Sequence, residues 1–124
     1  LCEFLEASPE SPMLRHTPAG EDADAVIDLR AVFQQYHRDL DWTAMPSLLK
    51  PRKGRLGLTD YGKMFCADRR AGDIYTLRAI DRENGCILIV RPDQHVAHIL
   101  PLDAFEELSR FFAGFLLDGR QPGR

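Results

Sequence analysis

CILIVRPDQHVAHILPLDAFEELSRFFAGFLL, residues 86 to 117, is the stretch whose reading decides the fold. Cys86 to Val90 is an apolar run of strand length without helical punctuation, the pattern of a strand buried on both faces. Arg91-Pro92-Asp93-Gln94 supplies a turn, with proline preset for its second position. His95 to Leu100 returns as a partner strand, antiparallel because so short a connection cannot support a crossover. Pro101-Leu102-Asp103 then opens a helix: Asp103 can cap it, and Glu106 stands at the capping-box spacing. Phe105, Leu108, Phe111, Phe112, Phe115 and Leu116 form one wide apolar stripe, with Glu106, Glu107 and Arg110 opposite, and Gly119 reads as a stop signal. Burying such a stripe contributes about 1.5 to 3 kcal/mol per large side chain, so the helix must cover a sheet face or a partner.

Upstream the patterns weaken. LCEFLEA at the start has apolar residues at positions 1, 4 and 5, which suits a helix already under way, with neither initiator Met nor N-cap before it. The chain is therefore expected to be one piece of a longer polypeptide, a single N-terminally truncated domain over residues 1–124. Ser8 to Asp24 concentrates Pro, Ser, Gly and acids and reads as a loop. Ala25 to Gln34 alternates, with β-branched and aromatic residues enriched, and reads as a strand. In the next stretch Trp42, Met45, Leu48 and Leu49 fall at helical spacing while Pro46 and Pro51 interrupt it, which predicts a short helical turn between loops. Tyr61 to Ala67 is a short extended segment, and Arg70 to Ile80 a second helix with Ile74, Leu77 and Ile80 on one face.

Composition narrows the function classes. A chain of 124 residues, 44% hydrophobic and 28% charged, has the size of one domain. The net charge of −3 comes from interspersed acids and bases, which argues against nucleic acid as a partner. No apolar run approaches the ~20 residues of a membrane span, and the amino end lacks the pattern of a signal peptide, so a soluble, cytoplasmic protein is expected.

The residues that could carry chemistry do not converge in sequence. Cys2, Cys66 and Cys86 give no CxxC and no zinc pattern, and buried free thiols are the expectation. Arg69 and Arg70 make Cys66 the one candidate for a reactive thiol. His95 and His98 would face opposite sides of a strand, and His16 and His37 lie in polar loops, so surface histidines without a metal are expected. Asp22, Asp24 and Asp28 resemble a calcium loop only superficially. Lys50, Arg52, Lys53 and Arg55 form a basic cluster, read as a solvated loop. GxSxG, GxGxxG and P-loop patterns do not occur, so no catalytic, cofactor-binding or metal residue is assigned.

GCILIVRPDQHVAHILPLDAFEELSRFFAGFLL resembles the C-terminal end of flavin-dependent phenol 2-monooxygenases, aromatic hydroxylases whose last domain is thioredoxin-like. The likeness continues through HRDLDWTAMPSLLKPRKGRLGLTDYGKMFCAD and AVIDLRAVFQQ, and its most specific piece is the turn Arg91, Pro92, Asp93, Gln94. The resemblance implies an α/β, thioredoxin-like domain, a central mixed sheet flanked by helices and lacking the first strand. It implies a non-catalytic structural and dimerisation domain. The preceding domains of the parent chain would hold FAD and substrate and use NADPH to hydroxylate a phenol, with no cofactor in this segment. The partners implied are those domains and a second copy in a homodimer; the apolar stripe, read from its spacing, offers Phe105, Leu108, Phe111, Phe112 and Phe115 as interface or core. An autonomous thioredoxin-like redox protein, or a stand-alone interaction module, is the alternative; the first would need the CxxC that is missing.

Overall fold

Ser11-Pro12 starts the first feature that the loop expectation for residues 8 to 24 passed over. In the computed structural model, which describes residues 1–68 and 70–120, α1 spans Cys2–Ala7 and α2 spans Pro12–His16. Proline at the first helical position costs nothing, because that amide has no intrahelical partner. The fully buried Ser11 hydroxyl donates to the Leu5 carbonyl at 2.5 Å and accepts from the Leu14 amide at 3.4 Å. One side chain thus satisfies an orphan group of each helix and fixes their angle.

Three two-stranded ladders follow. β1 (Ala31–Phe33) runs parallel to β4 (Met64–Cys66), with Val32 opposite Phe65. β2 (Arg52–Lys53) and β3 (Leu58–Thr59) form a small antiparallel pair, and β5 (Ile87–Val90) pairs antiparallel with β6 (Val96–Leu100). The class is α/β, and the expected single central sheet is distributed over these ladders, because the strands are only two to five residues long. The strand expected over 25–34 is confined to Ala31–Phe33. Before it, Asp24 and Asp28 turn toward Lys63 while Ile27 and Leu29 pack on the core, which leaves that backbone unpaired with a neighbouring strand.

Two 3₁₀ turns, Trp42–Ala44 and Ser47–Leu49, flank Pro46 as the interrupted helical spacing predicts. The helix expected over 70–80 is reduced to α3, Ile74–Leu77. Asp73 caps it by accepting from the Thr76 amide, and Ala79 ends it in the left-handed region at φ 51°. Leu77 is 69% exposed, so no core reinforces a longer helix.

The last unit, α4, covers Phe105–Ala113. Its expected capping box does not form: the Phe105 amide donates to the Asp103 carbonyl, which leaves Asp103 outside the helix, and Glu106 accepts from Arg110 instead. Gly114, rather than Gly119, stands at its end. The core gathers Leu5, Met13, Leu48, Ile89, Leu100 and Leu108, so α1, α2, the β5–β6 hairpin and α4 close on one another. Strand β5 is buried less than expected: Ile89 is in the core but Val90 is 52% exposed, because helices cover one face of this hairpin only.

Candidate functional site

The amphipathic stripe of α4 splits into two parts with different surroundings. Leu108 is 3% exposed and sits among the core aliphatics, and Phe105 stacks on Phe4 with ring centroids 4.5 Å apart and planes 7° from parallel. One turn further on, the Phe111 ring lies 5.5 Å from Phe112 and 5.4 Å from Phe115, both edge-on, and 5.3 Å from the His98 imidazole of β6. Edge-to-face pairs of this kind add about 0.5 to 1.5 kcal/mol each beyond burial. The cluster is inward at Phe111 and Phe112 and open at Phe115, 62% exposed, with Leu117 at 89% beyond it. On the opposite side of the helix Arg110 and Glu106 form an exposed pair that contributes little.

The hairpin extends this apolar surface. Ile87 stands opposite Leu100 and Ile89 opposite His98, so these share the face that α4 covers, while Leu88 and Ile99 lie on the other. The register shifts between Ile89 and Val90: Val90 pairs with Val96, and Ala97 becomes the extra residue of a bulge. Val96 therefore joins Val90 on the outer face, and Val90, Val96 and Ile99 are each about half exposed.

The turn Arg91, Pro92, Asp93, Gln94 forms the hairpin tip, as its sequence predicts. The Gln94 amide donates to the Arg91 carbonyl, and Gln94 itself is left-handed at φ 71°. Arg91 pairs with Asp93 at 2.8 Å, and the His95 Nδ1 lies 3.2 Å from the same exposed carboxylate. His98, expected at the surface, is exposed but carries the aromatic contact just described. Sequence reading missed that contact because it joins residues on different elements.

Lys63 is the side chain that sequence reading missed altogether. Its stem and ammonium are buried, and Nζ meets Asp24 and Asp28 at 2.5 Å each and Asp60 at 3.8 Å, while the Lys53 ammonium reaches Asp24 at 2.7 Å and Asp60 at 3.3 Å. Burial opposes the ionisation of Asp24 and Asp28, yet the hydrogen bonds from Lys53 and Lys63 to the first, and from Lys63 and Arg30 to the second, outweigh it and hold both carboxyls below the usual range. Burial likewise works against charge on Lys63, and its aspartate partners more than restore it, so its pKa is raised. Asp24 and Asp28 of the superficial calcium-loop pattern thus hold an ammonium, while Asp22 accepts from the Gly54 amide. Lys53, expected in a solvated basic loop, belongs to this cluster. Linear spacing gave no signal of it, because the partners are far apart in sequence.

Cys66 ends β4, half-buried, between two open clefts of about 370 and 530 Å³; the larger is lined by His37, Leu40, Trp42, Tyr61 and Met64. All three cysteines are free thiols, and burial pushes that of Cys2 up. Arg70 is exposed, and Arg69 lies outside the described residues. Among the described residues no group of three or more His, Cys, Asp or Glu side chains could hold a metal ion, and no helix is long and apolar enough to cross a membrane.

His16, expected at the surface, is 4% exposed. Its Nδ1 bonds the Leu117 carbonyl at 2.8 Å, which ties the segment after α4 to the end of α2. Ser109 adds a second tie, its hydroxyl donating to the Glu10 carbonyl at 2.6 Å.

Comparison with known proteins adds to this geometry. The family model described as phenol hydroxylase, C-terminal dimerisation domain, matches residues 1–120. The chain is 48% identical over 118 residues to a 3-hydroxybenzoate 4-monooxygenase of Comamonas testosteroni, covering 94% of this chain and 18% of that protein. It is 28% identical over 113 residues to the FAD-dependent monooxygenase terD of Aspergillus terreus (strain NIH 2624 / FGSC A1156), covering 88% of this chain and 18% of that protein. The chain thus spans less than a fifth of the length of these relatives.

Proposed function

Since the chain belongs to the family of phenol hydroxylase C-terminal dimerisation domains, we propose that it joins two copies of an aromatic hydroxylase and takes no chemical step itself. The parent activity is the oxygen-dependent hydroxylation of a phenolic ring. FAD and NADPH are held by domains outside these residues, as the FAD-dependent relative terD suggests for the flavin. A cytoplasmic location suits such a flavoprotein, and the parallel β1–β4 pair with the β5–β6 hairpin and α4 suits a thioredoxin-like arrangement.

The observation that carries the dimer reading is the opening of the aromatic cluster. A helix whose Phe111 and Phe112 close on the core, followed directly by an exposed Phe115 and Leu117, offers apolar area to a second copy. Phe105, Leu108, Phe111 and Phe112 pack toward the core, and Phe115, just past the helix, is the contact residue of this reading. Sedimentation velocity at two concentrations is the test, with a dimer expected for the native chain and monomer for Phe115→Asp. A native chain that stays monomeric at both concentrations defeats the reading. Flavin absorbance, or NADPH oxidation with phenol, from these 124 residues alone would overturn the non-catalytic assignment.

A further inference from the structure

Strand β6 combines three properties that an edge strand seldom has together. Among the described residues it pairs with β5 alone, so one row of its backbone amides and carbonyls has no strand beside it. Four of its five residues, Val96 to Ile99, are exposed, whereas β5 is largely half-buried or buried. Its sequence VAHIL carries no Lys, Glu, Asp or Pro, the residues by which proteins usually block edge-to-edge pairing.

The outer side of that edge is apolar, and the helix side leads into aromatic rings. On the outer face the bulge at Ala97 brings Val96 beside Val90, with Ile99 further along, and on the helix side His98 leads through Phe111 to the exposed Phe115. A strand laid against β6 would therefore find backbone partners flanked by Val96 and Ile99 on the outer face and by the His98, Phe111 and Phe115 rings on the other, which limits water at the new hydrogen bonds.

We propose that β6 is the dimer seam: the β6 strands of two copies pair antiparallel across a two-fold axis, extending the two hairpins into one four-stranded sheet. The proposal rests on the dimerisation reading above and deepens it by naming the contact. The occupant is a second copy because the family is a dimerisation domain, because the seam is continuous with the Phe115 surface, and because antiparallel pairing of one strand with itself satisfies the isologous symmetry of a two-fold dimer.

The decisive experiment is amide hydrogen exchange over Val96–Leu100 in the full chain, above and below its association range, with sedimentation velocity on Val96→Lys/Ile99→Lys and on Leu58→Lys as an exposed control on β3. The expected result is protection, lost on dilution, of the β6 amides that point away from β5, self-association weakened at least about tenfold in the β6 double variant, and native association in the control. Equal exchange in dimer and monomer, or dimerisation that Phe115→Asp weakens while the β6 double variant leaves it intact, overturns the seam and keeps the dimer. Protection of those outward amides that persists in the monomer also overturns it, since the edge is then covered by the same chain. A native chain that never associates defeats the dimerisation reading itself. Because the exchange measurement uses the native chain, it decides the matter even if the double variant fails to fold.

Discussion

Gly119 lies against the backbone of His16 so closely that a β-carbon on it would stand 2.6 Å from the His16 carbonyl oxygen and 2.8 Å from the carbonyl carbons of His16 and Thr17. The Gly119 amide donates to the Arg15 carbonyl at 2.9 Å, and the His16 ring holds the Leu117 carbonyl from the other side. Backbone has no rotamer with which to yield. Gly119→Ala is therefore expected to lose about 1 to 3 kcal/mol, the usual range for overpacking, read as a lowered Tm. An unchanged Tm would mean that the segment after Leu117 does not hold this position in solution.

The lysine and aspartate cluster predicts how stability follows pH. The carboxyls of Asp24 and Asp28 are held lower in the fold than in the unfolded chain. Their contribution is thus complete above the ordinary carboxylate range near pH ~4 and disappears as pH falls through the lowered folded values. Lys63 is held higher, so its contribution is complete below the ordinary lysine value of about 10.4 and disappears as pH rises through the raised folded value. Lys63→Met should lose about 3 kcal/mol at neutral pH, the low end for breaking a buried pair, because Lys53 still reaches Asp24 at 2.7 Å. Chemical denaturation across pH 2 to 7 (roughly the titration span) checks it: the gap between variant and native chain should narrow at the acid end.

Leu108 and Phe115 lie on the same stripe but should respond in opposite ways. Leu108→Ala removes a 3% exposed core side chain and is expected to cost about 2 to 5 kcal/mol with no direct effect on association. Phe112→Asp, which places a charge among half-buried rings, should unfold the chain. Phe115→Ala, at 62% exposed, should leave the unfolding free energy within about 1 kcal/mol of native and weaken the dimer instead. Urea titration paired with sedimentation separates the two effects.

Gln94 sits at φ 71° at the hairpin tip. The left-handed conformation costs a residue with a β-carbon about 1 to 2 kcal/mol, and glycine costs about 0.5 to 1 through the unfolded chain. The first exceeds the second, so Gln94→Gly should raise stability slightly, seen as a higher urea midpoint at unchanged slope.

The hairpin, its proline turn and the final helix were legible because each is a local pattern: an apolar run, a turn residue at its required position, and a helical stripe. The same locality explains the misses. Ser11-Pro12 was a readable helix start that the surrounding prolines and acids concealed. The capping box at Asp103 failed because the chain makes a turn before the helix, and Phe105 takes the Asp103 carbonyl.

By itself the sequence determined which segments are strands, turns and helix between Cys86 and Ala113, since alternation, turn chemistry and helical period act over a few residues. Its quoted strings also carried the family resemblance. Tertiary structure alone decided that Lys63 is buried among Asp24, Asp28 and Asp60, that His16 closes on Leu117, and that the stripe of α4 divides into a core half and an open half. Those outcomes depend on contacts between residues distant in the chain, whose energies no periodicity records.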